Sequence, residues 1–368
     1  MTTAQIIALS VSLAAAAGIT PLVMAAARRW AVVDDPAQAP DRKLHRRPVP
    51  LLGGLAIIAA TWLTWFVLSK MGALISGELP VKYLVGLTVA GALIAVGGAL
   101  DDRFRLPAKR QIVWVVMAAG VAIATGIGVQ FITNPFGGFL DLTGVRFTLF
   151  TWRGEPYHLT LWADLFTFLW LMGATYTTKI LDGLDGLVSG LGVIGSLIIF
   201  LLTLRPEVSQ TGVGLLALSL TGASTGFLIW NWHPAKVFLG ESGSLYIGFL
   251  LGVLSIISGG KIATALLILG LPILDLLWVI VQRLRAGKSP FASADRLHLH
   301  FRLLDAGLST RQSVLLIYLL VALFGLSTLY VRGVQKLEVL GGLLVVMALL
   351  VWWVMHRSSR RRPDSISQ

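Results

Sequence analysis

Eleven stretches of about twenty predominantly apolar residues recur along the chain, and a run of that length is what an α-helix needs to cross a bilayer. They lie near residues 4–27, 51–69, 83–100, 112–130, 161–178, 187–204, 210–230, 243–258, 262–282, 313–331 and 337–356. Gly53-Gly54 and Pro272 interrupt two of them. An average soluble domain carries roughly 25% charged residues. This chain of 368 residues carries 13% and is 56% hydrophobic. A soluble protein with a large core does not fit that pattern. The expectation is an all-α polytopic membrane protein with about eleven transmembrane helices. The first run has no basic leading segment and is followed by Arg28 and Arg29 rather than a cleavage signal, so it reads as a span and not a signal peptide. The chain has no cysteine, which excludes disulfides. No repeat or long linker divides it, so residues 1–356 read as a single multi-span domain and 357–368 as a basic tail.

Charge sets the orientation. With eleven spans the connecting loops fall into two alternating sets. Loops 28–50, 101–111, 179–186, 231–242 and 283–312, together with the tail, hold 22 of the 30 Lys and Arg residues. Basic loops stay cytoplasmic. The N-terminus is then expected outside and the C-terminus inside, in the inner (plasma) membrane. The net charge of +12 is accounted for by this bias and needs no nucleic acid. The outer loop 131–160 alternates polar and apolar residues around Arg153-Gly154, the pattern of a short periplasmic β-hairpin.

The acids follow the same side. Ten of the 18 Asp and Glu lie in the inter-span loops of the basic set: Asp34, Asp35, Asp41, Asp101, Asp102, Asp182, Asp185, Glu241, Asp295 and Asp305. Carboxylates at a membrane edge are costly unless paired, hydrated or bound to a cation. In "LDGLDGL" (181–187), Asp182 and Asp185 are three apart, so a helix start there would put both on one face. Asp101-Asp102 directly follows a span, and Glu241 sits in "FLGESGSLYIGF". Hard oxygens beside helix starts suit Mg²⁺, with Mn²⁺ as the alternative ion, and Mg²⁺ takes one or two carboxylates together with phosphate oxygens. Helix N-termini near 183–187 and 242–245 favour an anion.

Bases complete the set. "DRKLHRRPVPLLGG" (41–54) supplies Arg42, Lys43, His45, Arg46 and Arg47, and "SADRLHLHF" (293–301) supplies Arg296, His298 and His300. Zinc would need a third soft ligand beside the two histidines, and phosphate contact fits them better. Acids for a divalent cation, bases for phosphate and a membrane surface describe phosphoryl transfer between a soluble nucleotide diphosphate and a lipid phosphate, a reaction that relies on positioning and charge neutralisation.

Five segments, in order and all on one side, resemble the polyprenyl-phosphate N-acetylhexosamine-1-phosphate transferases of glycosyltransferase family 4. These membrane enzymes begin lipid-linked polysaccharide synthesis (the WecA and TagO type) or, in a sister branch, peptidoglycan synthesis (the MraY type). The segments are "DRKLHRRPVPLLGG", "GALDDRFRLPAKRQ", "LDGLDGLVSG", "NWHPAKVFLGESGSLYIGF" and the stretch 271–309. The resemblance implies transfer of a sugar 1-phosphate, N-acetylglucosamine 1-phosphate foremost, from a UDP-sugar donor to an undecaprenyl phosphate acceptor with release of UMP. It implies that Asp101 and Asp102 serve the lipid phosphate, one helping to deprotonate it. Asp185 and Glu241 would serve Mg²⁺ with Asp182 close by, and Arg296, His298 and His300 would hold the diphosphate. Lys43 would lie on the lipid-phosphate side, with Arg42, His45 and Lys109 as further substrate contacts. "DRLHLHF" is closer to the WecA and TagO pattern than to the three consecutive histidines of the MraY type. Asp275 matches a Pro-x-x-Asp feature, structural or pocket-lining. The bilayer is the remaining partner, and a homodimer stays open.

The sequence departs from the family pattern at five places. Lys179 and Tyr176 stand where two Asn are usual. Glu241 replaces Asp, and its extra methylene moves the carboxylate by about 1.5 Å, a covalent-bond length. Phe301 stands where a second His is usual. Either Lys109 or Gln111 falls where a Lys commonly follows the aspartate pair. These departures put the sugar in question before the reaction. Other UDP-N-acetylhexosamines or UDP-MurNAc-pentapeptide, a non-catalytic lipid-phosphate scaffold and an ion-coupled transporter are the rival readings. A transporter places its acids at mid-membrane, where Asp275 is the one candidate.

Overall fold

The computed structural model describes residues 1–38, 47–75, 79–134, 136–152, 155–258, 262–287 and 297–360. Among them the chain is helical nearly throughout. Helices α1 (Thr3–Arg29), α2 (Gly54–Lys70), α3 (Val81–Phe104), α4 (Ala108–Ala124), α5 (Leu161–Leu181), α6 (Leu187–Thr203), α7 (Thr211–Asn231) and α8 (Gly240–Ile257) come first. They are followed by α9 (Ile262–Ile268), α10 (Gly270–Arg285), α11 (Leu299–Asp305), α12 (Thr310–Ser327) and α13 (Val334–Arg360). Six of them are long and apolar enough to cross a membrane: α1, α3, α7, α8, α12 and α13. The protein is therefore a multi-pass, all-α membrane protein. Helices also cover most of the other five runs read from the sequence, but α2, α4 and α6 have only 17 residues each. The run at 262–282 is two helices. Its expected interruption at Pro272 falls in the first turn of α10, where the missing N–H is not needed. Helix α13 passes the expected domain boundary at 356, and residues 361–368 of the tail lie outside the described residues.

Three small antiparallel hairpins accompany the helices. β1 (Val33–Asp34) pairs with β2 (Val49–Pro50), β3 (Phe131–Thr133) with β4 (Phe139–Asp141), and β5 (Arg146–Trp152) with β6 (Glu155–Thr160). The last matches the alternation seen in the sequence. The second was not anticipated.

Helices α7 and α8 are mostly buried and form the centre, whereas α1 and α13 leave most of their surface exposed. The outward faces carry apolar side chains such as Leu22, Val89, Leu319 and Leu349. Bare apolar faces of this kind suit lipid rather than water. Because lipid gives no hydrophobic drive between helices, close packing has to come from small residues. Gly222 and Gly226 of α7 lie against the backbone of α1 at Leu9 and Leu13, and Gly98 of α3 lies against Ser242 of α8. A Cβ on Gly54 would sit 2.1 Å from Cα of Gly243, so α2 and α8 start with their backbones in contact. Gly54→Ala is accordingly expected to lower the melting temperature in detergent, since forced overpacking costs about 1–3 kcal/mol. Gly173→Ala, where the added methyl meets nothing within 4 Å, should leave it unchanged. Equal melting temperatures for the two variants would contradict this packing.

Successive helices run in alternating directions. The ends of α1, α3, α5 and α7 and the starts of α2, α4, α6 and α8 therefore gather at one end of the bundle. Asp34, Asp101, Asp102, Asp182, Asp185 and Glu241 belong to that end.

Candidate active site

A cavity of about 1110 Å³ opens at this end. Among the described residues six carboxylates line it (Asp34, Asp101, Asp102, Asp182, Asp185 and Glu241), along with three fixed cations, Arg47, Arg105 and Lys179. It is at the upper limit for pockets that enclose a ligand of drug size, roughly 300–1,000 Å³.

The aspartate pair divides its work. Arg105 takes a left-handed conformation (φ 50°) and Pro107 follows, which ends α3 and turns the chain into α4. Asp101 fastens that turn. Its Oδ1 accepts from the backbone N–H of Leu106 (2.7 Å) and from Nε2 of Gln111 (3.0 Å). Asp102 faces the other way. Its Oδ1 accepts the N–H of Glu241 (3.0 Å), while its Oδ2 is buried without a hydrogen-bond partner. Gly240, at φ +72°, makes room: a Cβ there would be 2.5 Å from that Oδ2.

The "LDGLDGL" segment forms the floor. Asp182 caps the end of α5, and Asp185 lies in the turn before α6, so the two do not share the face of one helix start. Asn231 locks the turn in place. Its Oδ1 accepts from Gly186 N (3.1 Å) and Ser189 Oγ (2.8 Å), and its Nδ2 donates to Val237 O (2.9 Å). Asp185 Oδ2 accepts the N–H of Ala235 (3.0 Å) and lies 2.7 Å from Nδ1 of His233. Asp182 is exposed to the cavity. The protein crowding around it pushes its carboxyl upward, with Glu241 and Asp185 adding repulsion. Water in the open cavity reaches the side chain and weakens that push.

Lys179 reaches into the cluster from α5. Its Nζ lies 2.9 Å from Glu241 Oε2, an ion-pair distance whose angle is not that of a hydrogen bond, and 4.0 Å from Asp101 Oδ2. It donates to Gln111 Oε1 at 2.6 Å. Gln111 lines the cavity and Lys109 is exposed away from it.

The histidines lie behind the wall. His298 Nδ1 is 2.9 Å from Asp275 Oδ2, and the same carboxylate accepts the N–H of Leu299 through Oδ1 (2.7 Å). Asp275, 2% exposed, thus pins the start of α11 and is not a cavity residue. His300 stacks on His298 and packs against Gly183. It is fully buried with neither ring nitrogen partnered, and burial, followed by His298, lowers its pKa to about 3. Among the described residues of this segment, Phe301 lines the cavity. Arg42, Lys43, His45 and Arg296 lie outside the described residues.

Among the described residues no three acidic or imidazole side chains converge as a ready-made metal shell. The donors present are hard oxygens, and one of them, Asp102 Oδ2, is buried and unpaired. That set fits a divalent ion held by one or two carboxylates and completed by phosphate oxygens. Asn231 and His233 were not assigned roles from the sequence. Their place in the "NWHPAKVFLGES" segment was the available signal.

Comparison with known proteins gives a consistent picture. The family model described as glycosyl transferase family 4 matches residues 84–259. A probable undecaprenyl-phosphate N-acetylglucosaminyl 1-phosphate transferase of Bacillus subtilis is 35% identical over 336 residues, covering 89% of this chain and 85% of the relative. A decaprenyl-phosphate N-acetylglucosaminephosphotransferase of Mycolicibacterium smegmatis is 33% identical, covering 89% and 83%. An undecaprenyl-phosphate alpha-N-acetylglucosaminyl 1-phosphate transferase of Escherichia coli is 29% identical, covering 81% and 76%.

Proposed function

Because this chain belongs to glycosyl transferase family 4, we propose that it transfers N-acetylglucosamine 1-phosphate from UDP-N-acetylglucosamine to a polyprenyl phosphate, undecaprenyl phosphate foremost, and releases UMP. The observation that carries the reading is the unpaired Asp102 Oδ2 beside Asp182, Asp185 and Glu241 at one end of an apolar bundle. An oxygen of the lipid phosphate attacks the β-phosphorus of the donor. The new P–O bond forms as the bond from that phosphorus to the bridging oxygen breaks, and the α-phosphate leaves as UMP. Asp102 faces the lipid phosphate and takes or orients its proton, while Asp101 holds the α3–α4 turn from which Asp102 projects. Asp185 and Glu241 would hold Mg²⁺ or Mn²⁺, which would neutralise the diphosphate as charge moves onto the leaving phosphate.

The cavity end then faces the cytoplasm. Arg47, Arg103, Arg105, Arg110, Lys236 and Arg311 all belong to loops and helix ends on that side, the distribution expected of an inward face. The reading includes eleven passes, with α9 and α10 together as one, the N-terminus and the β5–β6 hairpin outside and the C-terminus inside the plasma membrane.

The test uses purified protein in detergent with undecaprenyl phosphate, Mg²⁺ and a panel of UDP-sugars, following UMP and the mass of the lipid product. UMP with UDP-N-acetylglucosamine is expected. No UMP with any donor, from folded protein, would overturn the reading in favour of a lipid-phosphate scaffold. Chelation by EDTA is expected to abolish UMP release, and excess Mg²⁺ or Mn²⁺ to restore it. Turnover that survives EDTA would remove the divalent ion from the mechanism.

A further inference from the structure

Four of the five positions at which the sequence leaves the family pattern meet at one nitrogen. Lys179 Nζ lies 2.9 Å from Glu241, donates to Gln111 at 2.6 Å and sits 5.9 Å from the ring centroid of Tyr176. Gln111 continues the chain of contacts, donating to Asp101 Oδ1 and to Leu106 O (2.8 Å). Helices α3, α4, α5 and α8 are thereby joined through a single ammonium. Its side chain is 16% exposed, so water screens it little. Glu241, one methylene longer than Asp, has the reach to meet it. A lysine on α5 and a glutamine on α4 stand where the pattern has an asparagine and, in one of two registers, a lysine. The two exchanged side chains touch.

We propose that Lys179, Gln111, Glu241 and Tyr176 form one substituted unit. In it Lys179 is the positioning residue that holds Glu241, places a positive charge between Glu241 and Asp101 and sets the site's affinity for a divalent cation. The inference rests on the transferase reading and adds to it a role for residues with no counterpart in the resemblance. The physical cause is competition. An ammonium at ion-pair distance from a carboxylate offsets the charge that would draw a divalent ion, and a second cation has to displace or share that contact.

The experiment has two arms. In the first, Mn²⁺ is titrated into the full-length protein without substrates, and free Mn²⁺ is read by electron paramagnetic resonance. Lys179→Asn is expected to bind Mn²⁺ about tenfold more tightly than the unsubstituted protein, as removal of one nearby like charge predicts. In the second, UMP release is measured at saturating Mg²⁺. Lys179→Asn is expected to lose turnover about 100-fold, because Glu241 is no longer held. The exchange variant Lys179→Asn with Gln111→Lys, which returns the ammonium to the cluster from α4, is expected to recover at least a tenth of the original turnover and the original Mn²⁺ affinity. Lys179→Met, similar in bulk and uncharged, serves if the asparagine variant does not fold, with the same tightening expected. Unchanged or weaker Mn²⁺ binding in both single variants, no detectable Mn²⁺ binding in any form, or an exchange variant no better than Lys179→Asn would overturn the proposal. If the unsubstituted protein releases no UMP, the transferase reading fails by itself and the Mn²⁺ arm still decides the role of Lys179.

Discussion

Asp102→Asn is expected to reduce UMP release by about 10³-fold while leaving the melting temperature unchanged, the scale seen when a positioned acid–base or charge-stabilising group is lost. The asparagine carbonyl can still accept the Glu241 N–H that Asp102 Oδ1 now accepts at 3.0 Å, so the junction between α3 and α8 survives. What changes is Oδ2. This buried oxygen has no partner, and Gly240 keeps the space beside it open. An amide there is neutral and turns an acceptor into a donor, so it can neither take a proton from a lipid phosphate nor support a cation. The neighbouring acid should behave in the opposite way. Asp101→Ala removes the acceptor for Leu106 N and Gln111 Nε2 together. Each donor left unsatisfied away from water costs about 1–3 kcal/mol. A clear fall in melting temperature is therefore expected for that variant, in addition to any loss of turnover. Thermal melts and UMP assays on the two proteins separate the roles. A destabilised Asp102→Asn with an unaffected Asp101→Ala would reverse the assignment.

The sequence carried the class of fold because a bilayer leaves few choices. Each span must satisfy its own backbone, so the apolar run is itself the helix signal, and α1, α3, α7, α8, α12 and α13 arise where the runs are. It carried the gathering of the acids for a related reason: alternation of direction sends every second loop to the same end. What it did not carry depends on distance through space. Asp101 and Asp102 are adjacent in sequence and look alike there, but the left-handed turn at Arg105 spends one on a backbone N–H and leaves the other facing the cavity. Asn231 and His233 look like ordinary loop residues until the chain folds back and sets them against Gly186 and Asp185. His298 and His300 looked like cavity ligands because a short His-x-His pattern on a basic loop says nothing about which side of a wall it packs on. The buried carboxylate of Asp275 holds His298, and His300 packs against Gly183. The register between Lys109 and Gln111 could be fixed only when the first turn of α4 was seen to point Gln111 inward.

Asp185→Asn should show the other large effect, with a different signature: loss of turnover that depends on the Mg²⁺ concentration. Both hydrogen-bonding contacts of Asp185, to His233 Nδ1 and to the N–H of Ala235, end on Oδ2. The carboxylate is thereby oriented by the segment that follows α7, whose His233 and Ala235 also line the cavity. If it also holds the divalent ion, the amide removes one unit of negative charge from a hard-oxygen donor and weakens the ion's binding. UMP release at limiting Mg²⁺ is expected to fall by about 10²–10³-fold, with part of that loss recovered as Mg²⁺ is raised, since mass action refills a weakened site. His233→Ala tests the orienting contact separately. Residues that hold a ligand from behind usually alter affinity by about 10–100-fold, so the Mg²⁺ concentration for half-maximal turnover should rise in that variant by no more than this, with less effect at saturation. Opposite results would be informative about the site itself. An Asp185→Asn protein whose lost turnover is the same at every Mg²⁺ concentration would move Asp185 from the cation to the reacting phosphates, and one with full turnover at limiting Mg²⁺ would remove it from the site's chemistry altogether.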